Sequence, residues 1–468
     1  MKKMLSKFYD FLMYFTGWPL ATLLIAGGLY FTLRCRLVQF RMFTECFRVL
    51  KEKPCTPGHV SSFGALMVST ASRVGTGNII GVSTAICLGG PGAVFWMWFT
   101  ALIGGASAFV ESTLAQIYKR RKLDNSSYGG PSCYIESACH NKFFALVFAL
   151  ALIFTYGVGY NMLASYNLQS SFETFSFYKP WHCWIFGGVT ALLFALAISG
   201  SSIRLVKTTA TLVPVMGVGY VLFALIVLII NITNIPGMIV EIMRDAFNFK
   251  AIFGGFAGSV LMLGLKRGLY SNEAGIGSAP NAAASANVSH PVKQGLVQML
   301  SVFIDTNLIC TATALMCLSS GVKPVSELAG AMYVQHSLQE TFGIVGPIFI
   351  AIAMLLFAFT TLLGNFYYVE NCFAYIFGHQ PGKRALFIIR AVGTVLIFLG
   401  AGMRMDLAWG IADIAQCILA FINIPVCIII GGVAYRALDN YIEQRRAGVD
   451  PIYKAQECGV KEKTDFWQ

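Results

Sequence analysis

Two stretches of this chain combine glycine, hydroxyl and amide groups inside otherwise apolar sequence. The first runs over 74–78, where Gly75 and Gly77 flank Thr76. Glycine lowers helix propensity and permits non-helical backbone, so the pattern predicts an interrupted helix. The second stretch runs over 264–280 and contains charged residues, an asparagine and several further glycines. It predicts a second interruption.

Interrupted helices offer specific chemistry if these runs lie in a membrane. Each peptide group left unpaired in hydrocarbon costs several kcal/mol, on the order of a lost hydrogen bond or more. A half-helix that begins at the break offers N–H groups to a carboxylate, and one that ends there offers carbonyls to an ammonium group or a small cation. An amino-acid zwitterion together with Na⁺ would satisfy both ends. The alternative is that the glycines only allow helices to pack closely.

Two adjacent hydroxyl side chains, Thr360 and Thr361, lie in another apolar run. Hydroxyl and carbonyl oxygens are hard ligands, the kind that suits Na⁺. Together with the backbone carbonyls of Ala71 and Val74 at the first interruption, they predict a cation site made only of oxygens. The alternative is that the hydroxyls bond back to carbonyls one turn earlier in their own helix.

Ionisable residues also lie within apolar runs, where burial in lipid is expensive and indicates a function. We expect Asp305 to hold a cation, to carry a proton, or to pair with Lys266 or Arg267. We expect Arg73 and Glu111 to form a gate or internal ion pairs.

The motifs of several catalytic classes are missing from the sequence. It contains no HExxH motif, no Cys/His cluster and no GxxxxGK[ST] loop, and its thirteen cysteines are scattered without a paired spacing. Ligands for metal, haem or nucleotide chemistry are therefore lacking, and neither a disulfide framework nor an enzyme is expected.

The composition places most of the chain in lipid. Charged residues make up 12% of the 468 residues and apolar residues 56%, and the mean hydropathy is +0.66. A soluble protein of this size would lack the polar surface to cover its core. The net charge of +12 is carried in short gaps between apolar runs, which is typical of membrane topology and not of nucleic-acid binding.

Eleven apolar runs are long enough to cross a membrane as helices of about 20 residues. They predict an all-α, polytopic bundle, and lie near 17–34, 62–86, 92–117, 143–170, 182–200, 210–232, 251–289 (interrupted), 294–319, 343–375, 385–402 and 408–435. About three times as many Lys and Arg residues fall on one side as on the other. By the positive-inside rule, this predicts an outer N-terminus and a cytoplasmic C-terminus in the plasma (inner) membrane.

The positions of the two interruptions indicate an internal repeat. When the first run is set aside, the interrupted runs are the first and the sixth of ten, so each opens a five-helix half. An odd number of spans inverts the second half, and matched broken helices indicate the binding site of a transporter. The predicted units are 1–61 (an additional helix and a basic cytoplasmic loop), 62–232 and 251–436 (the two repeats), and 437–468 (a cytoplasmic tail).

Nine stretches together resemble the alanine or glycine:cation symporter family, also called sodium:alanine symporters. They are Val74-Gly75-Thr76-Gly77-Asn78-Ile79, Gly89-Gly90-Pro91-Gly92-Ala93 followed by Phe95-Trp96-Met97-Trp98, Tyr128-Gly129-Gly130-Pro131, Leu212-Val213-Pro214, Lys266-Arg267-Gly268 through Pro280, His290-Pro291-Val292-Lys293-Gln294-Gly295, Asp305-Thr306, Phe357-Ala358-Phe359-Thr360-Thr361 and Ala412-Asp413. They span about residues 62–415, nearly the whole chain.

The resemblance implies a leucine-transporter-like fold of five plus five helices with one additional N-terminal helix. It implies import of a small neutral amino acid, alanine or glycine, coupled to Na⁺ or sometimes H⁺. Its implied partners are that amino acid and membrane lipid, with no nucleic acid and no obligate protein partner. By position, Thr76, Gly77 and Asn78 would meet the substrate carboxylate, and carbonyls around Gly264 its amino group. The implied cation ligands are Thr360 and Thr361 with the backbone of Ala71 and Val74.

The sequence departs from the family pattern at two places that touch the substrate pocket. Asn365 follows Gly364 where the family usually has a tryptophan nearby, and Asn161-Met162 is not followed by the expected glutamine. The added space and amide capacity leave open a larger polar substrate, such as glutamine or serine. A channel is the alternative from another class, but a two-fold repeat within one chain argues against rings of identical groups from several subunits.

Overall fold

The structure, a computed structural model, describes residues 11–122, 125–200, 202–248 and 259–467. The beginnings of the predicted additional-helix unit (1–10) and of the second repeat (251–258) lie outside these residues. Helices dominate the described chain, and the one named sheet pairs two short antiparallel strands. The predicted all-α class is confirmed.

The first part of the chain covers the predicted additional helix and the predicted first repeat. Its elements are α1 (Trp18–Arg34), α2 (Val38–Arg41), α3 (Phe43–Leu50), α4 (Ser62–Arg73), the π-helix π1 (Gly77–Gly81), α5 (Val82–Gly89), α6 (Ala93–Ile117), β1 (Arg120–Arg121), β2 (Ser127–Tyr128), α7 (Pro131–Cys139), α8 (Lys142–Ile153), π2 (Phe154–Gly159), α9 (Tyr160–Ser170), α10 (His182–Ile198), α11 (Ser202–Ile230), a 3₁₀ turn (Ile232–Asn234) and α12 (Ile235–Ala246).

The second part follows the same order, with an interrupted helix, a long helix, a short connecting helix and three further apolar helices. Its elements are α13 (Val260–Asn272), α14 (Ala279–Ala283), α15 (Pro291–Val302), π3 (Phe303–Cys310), α16 (Thr311–Ser319), a 3₁₀ turn (Ser326–Leu328), α17 (Ala331–Phe342), α18 (Val345–Phe377), α19 (Lys383–Ala401), α20 (Met405–Ile430) and α21 (Gly432–Arg446). The repeated order agrees with a five-plus-five architecture.

Within the described residues, eight helices are long and apolar enough to span a membrane. They are Phe11–Arg34, Ala93–Ile117, Lys142–Ser170, Leu205–Ile230, Pro291–Ser319, Val345–Phe377, Lys383–Ala401 and Met405–Ile430. Helix α10 and the two interrupted helices coincide with the other three predicted runs. Membrane crossing by these three stays a prediction.

Side-chain caps define where the interrupted helices begin. Ser61 accepts a hydrogen bond from Gly64 N (3.0 Å) at the start of α4. Ser259 accepts one from Met262 N (3.3 Å) at the start of α13. Such caps satisfy N–H groups that lack an intrahelical partner, so both interrupted helices begin with the same kind of serine cap.

Helix α6 forms the centre of the packing. Most of its residues are buried, and it packs closely against α13 and α15. A Cβ atom on Gly295 would overlap Thr113 Oγ1, and one on Gly268 would lie 3.4 Å from Met97 Cα. Small residues therefore bring the helix backbones together, as is common in membrane proteins.

The segment after α21 folds back under the bundle. Trp467 Nε1 donates to Gln116 O (2.7 Å) at the end of α6, and Tyr453 N donates to Ser289 O (3.0 Å) before α15. Lys293 forms an ion pair with Asp450 (2.9 Å). The tail thus joins the ends of two central helices.

Candidate functional site

The first interrupted helix loses its regular backbone where the glycines predict. Helix α4 ends at Arg73, Val74 has ψ 84°, and π1 begins at Gly77. In a continuous helix Gly75 N would bond to Ala71 O, but here it donates to Asn78 Oδ1 (2.9 Å). Asn78 N bonds to Gly75 O (3.1 Å) and not to Val74 O. The carbonyls of Ala71 and Val74 therefore lose their helical donors.

The second interruption lies at 273–278, between α13 and α14. Glu273 adopts φ +53°, and Gly275 and Gly277 adopt φ +89° and +82°, a left-handed region that glycine enters at little cost. The loosened N–H groups of these two glycines donate to the buried Glu111 carboxylate (3.4 and 3.1 Å). This break therefore receives its anion from the protein itself.

The expected role of Gly264 does not fit this geometry. Gly264 lies inside the continuous helix α13, where its carbonyl belongs to the regular helical ladder. A Cβ atom there would lie 2.6 Å from both Ala93 O and Trp96 Cβ of α6. Gly264 thus serves helix packing, and the second break, which was predicted within 264–280, lies in the later part of that range at 273–278.

Side chains bring the two breaks and α18 together. Ser72 Oγ lies 3.2 Å from Glu273 Oε1 and donates to Asn365 Oδ1 (2.6 Å). Asn365 Nδ2 donates in turn to Asn161 Oδ1 of α9 (2.9 Å). All four side chains are buried. The two asparagines at the departures from the family pattern therefore meet beside the first break.

Unpaired polar atoms remain near this junction. Asn167 Nδ2 donates to Thr76 Oγ1 (3.0 Å), but Asn167 Oδ1 has no partner among the described residues. Asn161 Nδ2 is likewise a buried donor without an acceptor there. Buried polar groups are normally hydrogen-bonded, so one unpaired acceptor and one unpaired donor mark places for a ligand.

Gly77 and Asn78 are placed at the break but are already covered or bonded. A Cβ atom on Gly77 would overlap Tyr270 Cε1, so the Tyr270 ring rests against this glycine. The Asn78 amide donates to Asp305 Oδ1 (2.7 Å). Its backbone N–H bonds to Gly75 O (3.1 Å) and its carbonyl accepts from Thr313 Oγ1 (2.7 Å), so both the side chain and the backbone of Asn78 are engaged within the protein.

The two neighbouring threonines differ in their surroundings. Thr360 Oγ1 bonds back to Leu356 O (3.0 Å) and Phe357 O (3.1 Å), as the alternative interpretation expected. Thr361 Oγ1 has no partner in the described part of the chain. It approaches the first break so closely that a Cβ atom on Gly75 would overlap it. Thr361 thus lies directly against the first break at Gly75.

The buried charges have partners that differ from those expected. Arg267 pairs with Asp413 (2.8 Å), and Lys266 donates to Thr16 Oγ1 (3.1 Å). The expected pairing of Asp305 with Lys266 or Arg267 is therefore wrong. Arg73 donates to Gln298 O (3.3 Å), and its Nε and Nη2 have no hydrogen-bond partner among the described residues.

A cavity of about 990 Å³ opens beside the end of α5 and the start of α20, where Leu88 and Met405 line it. We call it the vestibule; its lining includes Thr84, Tyr166, Gln169, Arg267, Trp409 and Asp406. Arg267 Cζ lies 4.0 Å from the centre of a Trp409 ring, and Tyr270 packs edge-on against Trp409 (4.9 Å between centroids). Since Tyr270 also covers Gly77, these side chains separate the vestibule from the first break.

A sequence profile of the sodium:alanine symporter family matches residues 1–455. The chain belongs to the sodium:alanine symporter family. The resemblance predicted from the motifs is confirmed, and so are a sodium-coupled amino-acid symporter at the level of the family, a multi-pass membrane protein, and a transporter in place of an enzyme.

Three relatives from Bacillus subtilis illustrate the range of this symporter family. The chain is 42% identical over 447 residues to the amino-acid carrier protein AlsT, covering 95% of this chain and 94% of that protein. It is 39% identical to the probable sodium/glutamine symporter GlnT, covering 93% and 90%. It is 38% identical to the putative sodium/proton-dependent alanine carrier protein YrbD, covering 96% and 95%.

Several residues of this symporter's site were not singled out from the sequence. Glu273, Ser72, Asn167 and Tyr270 all contact the breaks. Glu273 carried a usable signal, because a carboxylate in a glycine-rich apolar run is a functional candidate by default. The other three are ordinary residue types for a helix, and only the fold brings them to the site.

Removing the Glu111 carboxylate should destabilise this symporter. Glu111→Ala would leave Gly275 N, Gly277 N and one of the two Asn423 Nδ2 hydrogens without an acceptor, while the other still donates to Gly275 O. Each buried donor left unpaired costs about 1–3 kcal/mol. We expect a loss of at least about 3 kcal/mol, seen as a midpoint of thermal unfolding in detergent lowered by several degrees. Glu340→Gln, at an exposed site on α17, is the control. Equal midpoints for Glu111→Ala and the control would contradict this role.

Proposed function

We propose that this symporter imports a small neutral amino acid, alanine or glycine, together with Na⁺ by alternating access. The observation that carries the proposal is the state of the first break. Two carbonyls without helical donors, an unpaired threonine hydroxyl, and an unpaired amide donor and acceptor all gather there among the described residues. These groups match what a zwitterion and a hard cation need.

The cation is proposed to bind between α4 and α18. Its ligands are the carbonyl oxygens of Ala71 and Val74 and the hydroxyl of Thr361, with Thr360 as a weaker contributor. Thr360 keeps a free lone pair, but its hydroxyl hydrogen is directed at carbonyls of its own helix. Support comes from Gly75, whose missing side chain lets Thr361 reach the break.

The amino acid is proposed to bind beside the cation at the start of π1. N–H groups at the beginning of a helix have no intrahelical partner, so those near Thr76 and Gly77 can receive the carboxylate, together with Asn161 Nδ2. Asn167 Oδ1, which lacks a donor in the described part of the chain, can accept from the ammonium group. This assignment replaces the carbonyls around Gly264.

Coupling follows from the shared break. Both ligands bind to the same unwound backbone, and each stabilises it. The binding of one therefore favours the binding of the other. By linkage, the amino acid must tighten Na⁺ binding by the factor by which Na⁺ tightens amino-acid binding. The two five-helix units would then rearrange around this site.

The proposed orientation places the vestibule outside the cell. The distribution of Lys and Arg in the loops favours a plasma-membrane protein with its N-terminus outside the cell and its C-terminus in the cytoplasm. The tail would then cover the cytoplasmic ends of α6 and α15. Access from the vestibule would require Tyr270, Trp409 and the Arg267–Asp413 pair to move aside.

Uptake of radiolabelled alanine into proteoliposomes tests the proposal. We expect alanine to accumulate inside the proteoliposomes about ten-fold or more when Na⁺ is present outside only. Each ten-fold ratio of ion concentration supplies about 1.4 kcal/mol per ion. An equal uptake with K⁺ in place of Na⁺ would rule out Na⁺ coupling. Alanine uptake driven by an imposed pH gradient in the absence of Na⁺ would indicate H⁺ coupling.

The same preparation decides the substrate. Asn365 is bonded to both Ser72 and Asn161, so its amide is occupied and the pocket is expected to favour small side chains. Unlabelled alanine or glycine should therefore compete with labelled alanine better than glutamine or serine does. Stronger competition by glutamine would instead favour the larger polar substrate.

A further inference from the structure

Asp305 lies behind the first break, away from the proposed ligands. It belongs to π3, and its side chain is fully buried. Its carboxylate accepts hydrogen bonds from Asn78 Nδ2 (2.7 Å), Thr306 Oγ1 (2.9 Å) and the nearby Ser271 Oγ. In the described part of the chain, three hydrogen-bond donors surround this carboxylate and no ion pair does.

Asn78 connects this carboxylate to the unwound backbone. Its Nδ2 donates to Asp305, while its Oδ1 accepts from Gly75 N (2.9 Å). Its backbone carbonyl accepts from Thr313 Oγ1 (2.7 Å), which fixes π1 against α16. The amide is therefore oriented from both ends, since Asp305 offers its Nδ2 a charged acceptor, and charge-assisted hydrogen bonds are the stronger kind.

The orientation of Asn78 decides which partner Gly75 N–H takes. With Asn78 Oδ1 facing Gly75, the N–H is drawn away from Ala71 O. If the amide rotated, Gly75 N–H would lose this acceptor, and the helical bond to Ala71 O would become its nearest alternative. The Ala71 carbonyl would then no longer be free for a cation.

We infer that Asp305 is a positioning residue for the cation site: through Asn78 it holds Gly75 N–H away from Ala71 and so keeps a carbonyl ligand open. This inference rests on the proposed Na⁺ coupling. It assigns Asp305 a task without direct contact with either transported species. It also explains why a carboxylate at this depth has amide and hydroxyl partners where a basic partner would be usual.

Exchanging the side chains of Asn78 and Asp305 gives a specific test of this positioning role. In the double variant Asn78→Asp with Asp305→Asn, the carboxylate introduced at position 78 can still accept from Gly75 N–H. The amide introduced at position 305 can donate to that carboxylate, and its oxygen can accept from Ser271 and Thr306. The net charge is unchanged. Asn78→Asp alone instead places two carboxylates where the structure has a 2.7 Å hydrogen bond.

The measurement is the Na⁺ concentration that gives half-maximal alanine uptake in proteoliposomes, at matched amounts of folded protein. We expect Asp305→Ala and Asn78→Asp each to raise it about ten-fold or more, the effect of losing one charge-assisted hydrogen bond. The exchanged double variant should return to within about three-fold of wild type by the same arithmetic. Asp439→Ala, with its side chain 54% exposed, is the control.

Two results would overturn the inference alone while wild-type uptake stays Na⁺-dependent. One is a folded Asp305→Ala protein with the wild-type Na⁺ dependence. The other is a double variant as impaired as Asn78→Asp, and this comparison decides the matter if Asp305→Ala does not fold. A wild-type protein whose uptake ignores Na⁺ overturns the proposed function and this inference with it.

Discussion

Gly75→Ala is expected to abolish coupled uptake, with initial rates at least about 100-fold below wild type, since the break loses both its space and its ligand geometry. An added Cβ atom would overlap Thr361 Oγ1 and lie 3.2 Å from Thr361 Cβ. This overlap must be relieved by movement of α4 or α18, and such overpacking costs about 1–3 kcal/mol or more. The methyl group would also occupy space beside the proposed cation ligands, so cation binding should suffer as well.

The matched control is Gly219→Ala on α11. A Cβ atom there would meet nothing within 4 Å, and alanine is a better helix former than glycine. Its uptake should equal that of wild type. The measurement is initial alanine uptake under an inward Na⁺ gradient, normalised to monodisperse protein. Retention of more than half the wild-type rate by Gly75→Ala would contradict the close approach of Thr361 to the break.

Thr361→Ala is expected to raise the Na⁺ concentration for half-maximal uptake by about 10–100-fold, whereas Thr360→Ala should change it less than about three-fold. Interactions of a polar group with a charged one contribute about 1.5–3 kcal/mol, which corresponds to this range. Thr361 Oγ1 has no hydrogen-bond partner among the described residues, so we expect this oxygen to bind the ion. Thr360 Oγ1 already bonds to two carbonyls of its own helix.

The comparison of the two threonines is its own control, because both substitutions remove the same atoms from adjacent positions of α18. Both side chains are nearly inaccessible, at 0% and 3% exposed, so a general loss of packing would affect them alike. Thr361→Ser should keep most of the Na⁺ affinity, since the hydroxyl remains. Equal increases of the half-maximal Na⁺ concentration for Thr360→Ala and Thr361→Ala would contradict the assignment of Thr361 as the main hydroxyl ligand.

The first break and the membrane bundle could be predicted from the sequence because their causes are local. Paired glycines at 75 and 77 weaken a helix wherever they occur, and eight of the eleven predicted apolar runs coincide with helices of the described chain that are long and apolar enough to span a membrane. The location of the second break was not predictable in the same way. Gly264 and Gly277 look alike in sequence, yet one accommodates a neighbouring helix and the other adopts a positive φ.

The partners of the buried charges depended on contacts between distant parts of the chain. Glu111 reaches Gly277 across 166 positions, and Asp305 reaches Asn78 across 227. Nothing near Glu111 or Asp305 in the sequence indicates those partners. Likewise, Thr360 and Thr361 differ only in the direction they face on α18, which becomes known once α4 is placed against that helix.

Glu111 also makes the two interrupted helices chemically different from each other. In an inverted pair of unwound helices, either one has backbone amides with which to hold an anion. Here the N–H groups of Gly275 and Gly277 donate to the Glu111 carboxylate of the chain itself, so a second solute would have to displace it. Of the two breaks in the described part of the chain, only the first is then proposed to hold the carboxylate of a substrate, and each transport cycle is expected to carry one amino-acid molecule.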